Sequence, residues 1–153
     1  MKVIFKWNKR IIFGIFAFLD LLCVAVGMGV PFLNILFGFV IGWYIAKRVV
    51  IKNKDTKNTL RKILRYAMIT SIFTFIIMLV IWGRCVLLLF DSNSNLQNFG
   101  IPLILYSPKA SFIGWLVLMI FISPFLQLLT TIFSSYLTLL KHLDRKKATP
   151  KTT

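Results

Sequence analysis

IIFGIFAFLDLLCVAVGM, residues 11 to 28, is an apolar run broken by a single charge, Asp20. Its length decides the fold class. At about 1.5 Å per residue, a helix of this size nearly matches a hydrocarbon core about 30 Å thick. A surface helix of a soluble domain would carry polar residues on every turn. Similar runs recur at Pro31–Ala46 (PFLNILFGFVIGWYIA), Tyr66–Leu89 and Phe112–Leu140. The chain has 153 residues, 58% apolar and 15% charged, with a mean hydropathy of +0.83. That leaves too little polar surface for a water-soluble domain. The expected fold is all-α, a polytopic membrane protein built as a bundle of four transmembrane helices at about 11–28, 31–46, 66–89 and 112–140. The first two are short and have to stand nearly upright or thin the bilayer.

The basic residues set the expected orientation. Lys2, Lys6, Lys9 and Arg10 precede the first span, eight more from Lys47 to Arg65 lie between the second and third, and five from Lys141 to Lys151 follow the fourth. This places 17 of the 19 Lys and Arg on one side and leaves Arg84 and Lys109 on the other. The positive-inside rule then puts both termini in the cytoplasm of a cell-membrane protein. Trp7, Trp43, Tyr44, Tyr66 and Tyr136 fall near the inner boundary, and Trp82, Tyr106 and Trp115 near the outer one, where amphipathic rings prefer to sit. The net charge of +15 is expected to meet anionic lipid headgroups on the cytoplasmic side, not nucleic acid, because the basic residues stand where spans end.

One membrane domain, 1–142, and a disordered basic tail, 143–153, account for the chain, since KKATPKTT offers almost nothing to bury. The basic start and apolar run share features with a secretory signal. Asp20 interrupts that run and a second span follows at once, so retention as a first span is expected. The turn Gly27–Pro31 closes a hairpin between the first two spans. Thr59 or Asn58 is expected to cap an extension of the third, and 101–110 to lie at the outer interface or fold over the outer mouth.

Asn34, Gly38, Gly42 and Ala46 recur every four residues on one face of the second span. Small residues at that spacing let backbones approach closely. They serve packing against another span of the chain or, as the alternative, a homo-oligomer face. In the fourth span Ser123, Gln127, Thr130, Thr131, Ser134, Ser135 and Thr138 form a polar stripe, with Pro124 expected to kink the helix. Such a stripe faces protein or water, through interhelical hydrogen bonds or along a hydrated path.

Asp20 lies roughly 14 Å above the inner boundary at about 1.5 Å per residue. The same rise reaches Thr74 in the third span and Thr131, with Gln127 a turn higher, in the fourth. Asp20, Thr74, Gln127, Thr130 and Thr131 are therefore the candidate intramembrane polar site. An Asp at a span centre opposes insertion by about 2.5–3.5 kcal/mol, so it needs a partner or a proton. No basic residue stands at that depth.

Catalytic motifs are missing from the sequence. It contains no Glu, one His (His142, in the basic tail), no clustered metal ligands, and two cysteines, Cys23 and Cys85, too far apart in depth to pair. Neither an enzyme nor a cofactor or metal is expected. Four spans with an acid in the first resemble the architecture of the small multidrug-resistance exporters. The chain departs from them in its Asp, its length, its long outer loop and its strongly biased charge. Two functions follow from the residues. The first is an accessory, assembly or regulatory subunit without catalytic activity, bound to a membrane protein partner. The alternative is a small proton- or cation-coupled transporter or channel subunit that uses Asp20.

Overall fold

The computed structural model describes residues 8–26, 32–52, 56–91, 96 and 106–148. These form α1 (Lys9–Val26), α2 (Phe32–Lys52), α3 (Thr56–Trp82) running into a 3-10 helix (Gly83–Leu89), then α4 (Pro108–Val117), a π-helical turn (Leu118–Ile122) and α5 (Ser123–Ala148). Because α4, the π turn and α5 follow without a break, the chain is all-α with four helical rods. Three contain stretches long and apolar enough to cross a membrane: Phe32–Ile51, Lys57–Leu89 and Pro108–Asp144. The remaining rod, α1, is 18 residues long and carries Lys9, Arg10 and Asp20.

The helices outrun the apolar segments that mark them. α2 continues past Ala46 to Lys52, and α3 starts at Thr56 instead of near Tyr66, so Asn58 and Thr59 lie inside α3 and do not cap it. The cause is a helical period that persists among the charges. Val49 of α2 and Ile63 of α3 are buried in one apolar cluster with Phe16, Ile41, Ile45 and Ala46, while Arg61, Leu64 and Arg65 face outward. α5 likewise runs to Ala148, so the tail expected to be disordered from residue 143 is helical that far. At the other end Ser107 precedes Pro108 at the first helical position, where a missing N–H is harmless. This puts 108–110 in the first turn of α4, not in an interfacial loop. The expected hairpin turn at 27–31 and the rest of the outer-loop segment, 101–105, lie outside the described residues.

Pro124 acts one turn before itself. It has no N–H, and its ring crowds the preceding carbonyls. The helix absorbs both effects as the π turn, in which the Ser123 N–H reaches back to the Leu118 carbonyl. The irregularity next to Pro124, where a kink is expected, is this π turn.

Contacts give the directions of the rods. Thr130, Ser134 and Ser135 of α5 bond Ile35, Phe39 and Gly42 of α2. Both numbers rise together, so α2 and α5 are parallel. Ser71 meets Pro124, Phe75 meets Phe121 and Trp82 meets Trp115, so α3 runs antiparallel to the α4–α5 rod. The start of α1, the end of α2, the start of α3 and the end of α5 therefore gather at one end of the bundle. That end carries the cluster around Phe16, and the opposite end a second cluster around Phe112, Trp115, Leu116, Met119 and Ile120. Between them lies a polar layer.

The surface is more apolar than the interior of this layer, along the whole length of the bundle. Phe18, Val80 and Leu87 are at least 66% exposed, while Asp20, Thr74 and Ser123 have no exposure. Apolar exposure on this scale suits a hydrocarbon surround.

The most extensive packing is between α2 and α5, and the small-residue face of α2 is what makes it close. A Cβ on Gly38 would run into Thr130 Oγ1 and come within 2.7 Å of the Gln127 carbonyl; one on Gly42 would run into the Thr131 carbonyl and lie 2.9 Å from Ser134 Cβ. Ala46 is fully buried in the same interface region. The face is therefore occupied by α5 within the chain. Gly42→Ala should lower stability by about 1–3 kcal/mol through overpacking. At Gly14 a Cβ meets nothing within 4 Å, so Gly14→Ala should be neutral or stabilising by up to about 1 kcal/mol. Unfolding of the two variants in detergent checks the contrast; equal effects would contradict the packing described.

Candidate functional site

Four helices each send one polar side chain into the middle layer. Asp20 stands on α1, Asn34 on α2, Thr74 on α3 and Gln127 on α5. Thr74 Oγ1 lies 2.9 Å from Asp20 Oδ2, to which it can donate. Gln127 Nε2 donates to Asp20 Oδ1 at 3.0 Å and to Asn34 Oδ1 at 3.2 Å. An amide NH2 has two protons, so Gln127 makes both bonds at once and joins α1 to α2 through α5. Both partners of the carboxyl are uncharged.

Helical position explains why these residues converge. Thr74 lies one turn from Thr70, whose carbonyl is 3.1 Å from Thr74 Oγ1. Gln127 lies one turn from Thr131 and Ser123, which share its buried face. The small residues of α2 let α5 approach until Gln127 reaches Asn34. Without Gly38, the Gln127 backbone could not come so near.

Of the residues expected to form the site, Asp20, Thr74 and Gln127 are brought together. Thr130 and Thr131 are not. Thr130 donates to the Ile35 carbonyl at 2.9 Å, and Thr131 donates back to the Gln127 carbonyl at 2.7 Å. They sit one turn below the carboxyl and tie backbones. Ser134 and Ser135 continue that pattern on Phe39 and Gly42, at 2.7 and 2.9 Å. Three of the seven stripe residues, Thr130, Ser134 and Ser135, thus bond α2 carbonyls, one of the two uses expected of the stripe.

Asn34, on the small-residue face of α2, belongs also to the polar centre. The signal for it was available: an amide within an apolar run needs a partner as much as an acid does.

The centre is not saturated. Asn34 Nδ2 and Gln127 Oε1 are buried and have no hydrogen-bond partner, and Ser123 Oγ is in the same condition a turn away. Orphaned polar atoms are uncommon in folded proteins. Asn34 and Gln127 are each 1% exposed, so bulk water is not their partner. No group of three or more His, Cys, Asp and Glu gathers among the described residues, and Cys23 and Cys85 are free thiols.

An apolar cleft of about 520 Å³ opens beside the centre, between α1 and α3 with α2 as its floor. Ile12, Phe16, Leu19, Ile41, Ile69 and Thr70 line it, and Tyr44 and Arg48 stand at its charged end, where Arg48 Nη1 donates to Tyr44 OH at 3.3 Å. Phe16, one turn before Asp20, stacks on Phe37 with centroids 6.1 Å apart and leans on Phe73 at 5.6 Å. Phe16 and Phe37 also line the cleft.

What fold and centre define together is a class: an all-α chain with three membrane-length apolar helices and a polar layer buried across the bundle. Comparison with protein-family models, curated proteins and solved structures finds no match that would narrow the class.

Gln127→Leu should destabilise the bundle by about 1–3 kcal/mol, because it strands both Asp20 Oδ1 and Asn34 Oδ1. Thr74→Val removes one bond and should cost about 0.6 kcal/mol, the average for a side-chain bond between membrane helices. Reversible unfolding in mixed micelles gives both values; the reverse order would show that Gln127 does not organise the centre.

Proposed function

We propose that the chain is a non-enzymatic, multi-pass protein of the cell membrane and works as a small proton- or cation-coupled transporter or channel subunit. The observation that carries this reading is the Asp20 centre. A fully buried carboxyl is held by uncharged groups, beside amide atoms without partners. Ionisable groups inside membrane bundles mark ion pathways and proton relays. In this reading all four rods are spans. α1 crosses with the others because Asp20 turns inward to the polar layer and its remaining charges, Lys9 and Arg10, lie at its start.

The same reading puts both termini in the cytoplasm. Arg10, Lys47, Arg48, Lys57, Arg61 and Lys141 belong to the end of the bundle where α1 starts and α5 finishes, and Arg84 and Lys109 to the other. Lys and Arg are retained on the cytoplasmic side, where anionic headgroups are their partners. A single cysteine placed at Thr152, with Cys23 and Cys85 replaced by Ala, should react in intact cells with membrane-permeant maleimide only. Labelling by an impermeant reagent would reverse the topology.

A second reading, an accessory, assembly or regulatory subunit, is favoured by one feature of the same centre. It draws one side chain from each of the four rods, as a purely structural clasp would. Flux separates the two. In proteoliposomes, wild type should carry cation-dependent proton movement, and Asp20→Asn should reduce it to the level of empty vesicles while unfolding at a similar temperature. Equal flux in both proteins, or none in wild type, would overturn the coupled reading in favour of the subunit.

A further inference from the structure

We propose that the Asp20 centre binds one monovalent cation, taken up in exchange for one proton, with Asp20, Asn34, Thr74 and Gln127 as its ligands. The proposal deepens the ion-coupled reading and rests on it for biological purpose, although its chemistry can be tested alone.

Charge balance sets the valence. The centre holds one carboxyl, and its hydrogen-bond partners Thr74 and Gln127 are neutral. No charged side chain acts on Asp20 among the described residues, and its titratable neighbour is the Cys23 thiol one turn along α1. In a surround that penalises net charge, one carboxylate calls for one positive charge. A divalent ion would leave the site positive.

The donor set selects the kind of ion. Asp20, Thr74 and the amide carbonyls of Asn34 and Gln127 supply hard oxygen only, without sulfur or imidazole, which suits alkali ions rather than transition metals. The unpartnered atoms show how the site can change hands. Gln127 now turns its NH2 toward Asp20 and Asn34 and leaves Oε1 with no partner. A half turn of the amide puts Oε1 about where Nε2 stands, next to the Asp20 and Asn34 oxygens. The turn breaks no hydrogen bond on the far side, where Oε1 has no partner. Three oxygens that close repel one another unless a cation lies among them.

Thr74 completes the exchange. Its hydroxyl has one proton and two acceptors in reach, Asp20 Oδ2 at 2.9 Å and the Thr70 carbonyl at 3.1 Å. With the proton directed to Thr70, Thr74 offers a lone pair to the centre. That lone pair accepts a hydrogen bond from protonated Asp20, or it ligates a cation beside ionised Asp20. The step balances without redox chemistry: the carboxylic acid loses its proton to solvent as the cation enters, and the carboxylate remains neutralised.

The test uses the full chain, purified in detergent in sodium-free choline medium with weak buffer, at a pH where the infrared carboxylic-acid band of Asp20 is present. Sodium chloride should release one proton per chain to a pH dye and remove that band, and choline chloride should do neither. Lithium and potassium arms rank the alkali ions. Asp20→Asn, which keeps the shape of the side chain, should abolish both signals. Asn34→Leu should retain the acid band and weaken the sodium response at least about tenfold, as loss of a supporting group does at other ion sites. A band that titrates with pH but ignores every alkali ion, with no proton released, overturns the cation site and leaves proton coupling standing. An alkali-ion response with no flux in vesicles upholds the site and overturns the transport reading. An acid band that neither titrates nor responds overturns both, and an unaltered sodium response in Asn34→Leu removes Asn34 from the ligand set.

Discussion

A carboxyl group inside an apolar bundle has to collect its hydrogen bonds from the protein, and this constraint organises the molecule. Asp20 draws one partner from α3 and one from α5, and Gln127 passes the link on to α2. That geometry brings Asp20, Thr74 and Gln127 together from α1, α3 and α5. It also separates the two apolar clusters with a polar layer. The magnitudes show why hydrogen bonds alone do not complete the arrangement. An Asp at a span centre opposes insertion by about 2.5–3.5 kcal/mol, whereas interhelical side-chain bonds contribute about 0.6 kcal/mol on average and at most about 1.7. At the average value, two such bonds fall short of that cost for a charged group.

The parallel contact of α2 with α5 provides the frame in which the centre is held. Gly38 and Gly42 remove the side chains that would hold the backbones apart, and Thr130, Ser134 and Ser135 then reach α2 carbonyls directly. A helical carbonyl has a second lone pair beyond the one used within its helix, so these bonds add to the ladder without breaking it. In lipid there is no hydrophobic gain from bringing two apolar helices together, and close contact with added hydrogen bonds supplies the attraction instead. The two glycines and the hydroxyl stripe are therefore one device divided between two helices.

α1 is held differently. It has no small-residue notch against a neighbour: a side chain at Gly14 would meet open space. It is attached through the Asp20 bonds, through Phe16, which is buried with Ile41, Ile45, Ala46 and Val49 of α2, and through Phe13 and Phe16, which meet Phe73 with centroids 5.2 and 5.6 Å apart. The cleft between α1 and α3 follows from this lighter packing.

The sequence alone determined where helices form, how apolar they are and how the basic residues divide. Each of these is a property of a run of consecutive residues. It also brought out Asp20, the glycine face of α2 and the polar stripe of α5, because helical spacing puts those residues on common faces whatever surrounds them. Helix ends were less legible: the α2 and α3 extensions are amphipathic, and their apolar side, Val49 and Ile63, is recognisable only once the two are seen to pack together. Only the tertiary structure decided which polar groups meet. Thr130 and Thr131 lie within a turn of Gln127 along α5 yet bond backbone, while Asn34, assigned to packing, reaches the centre. The reason is physical. Meeting depends on the rotation and axial offset of one helix against another, and those are set by side-chain packing between segments distant in the chain, here the fit of α5 into the glycine notch of α2.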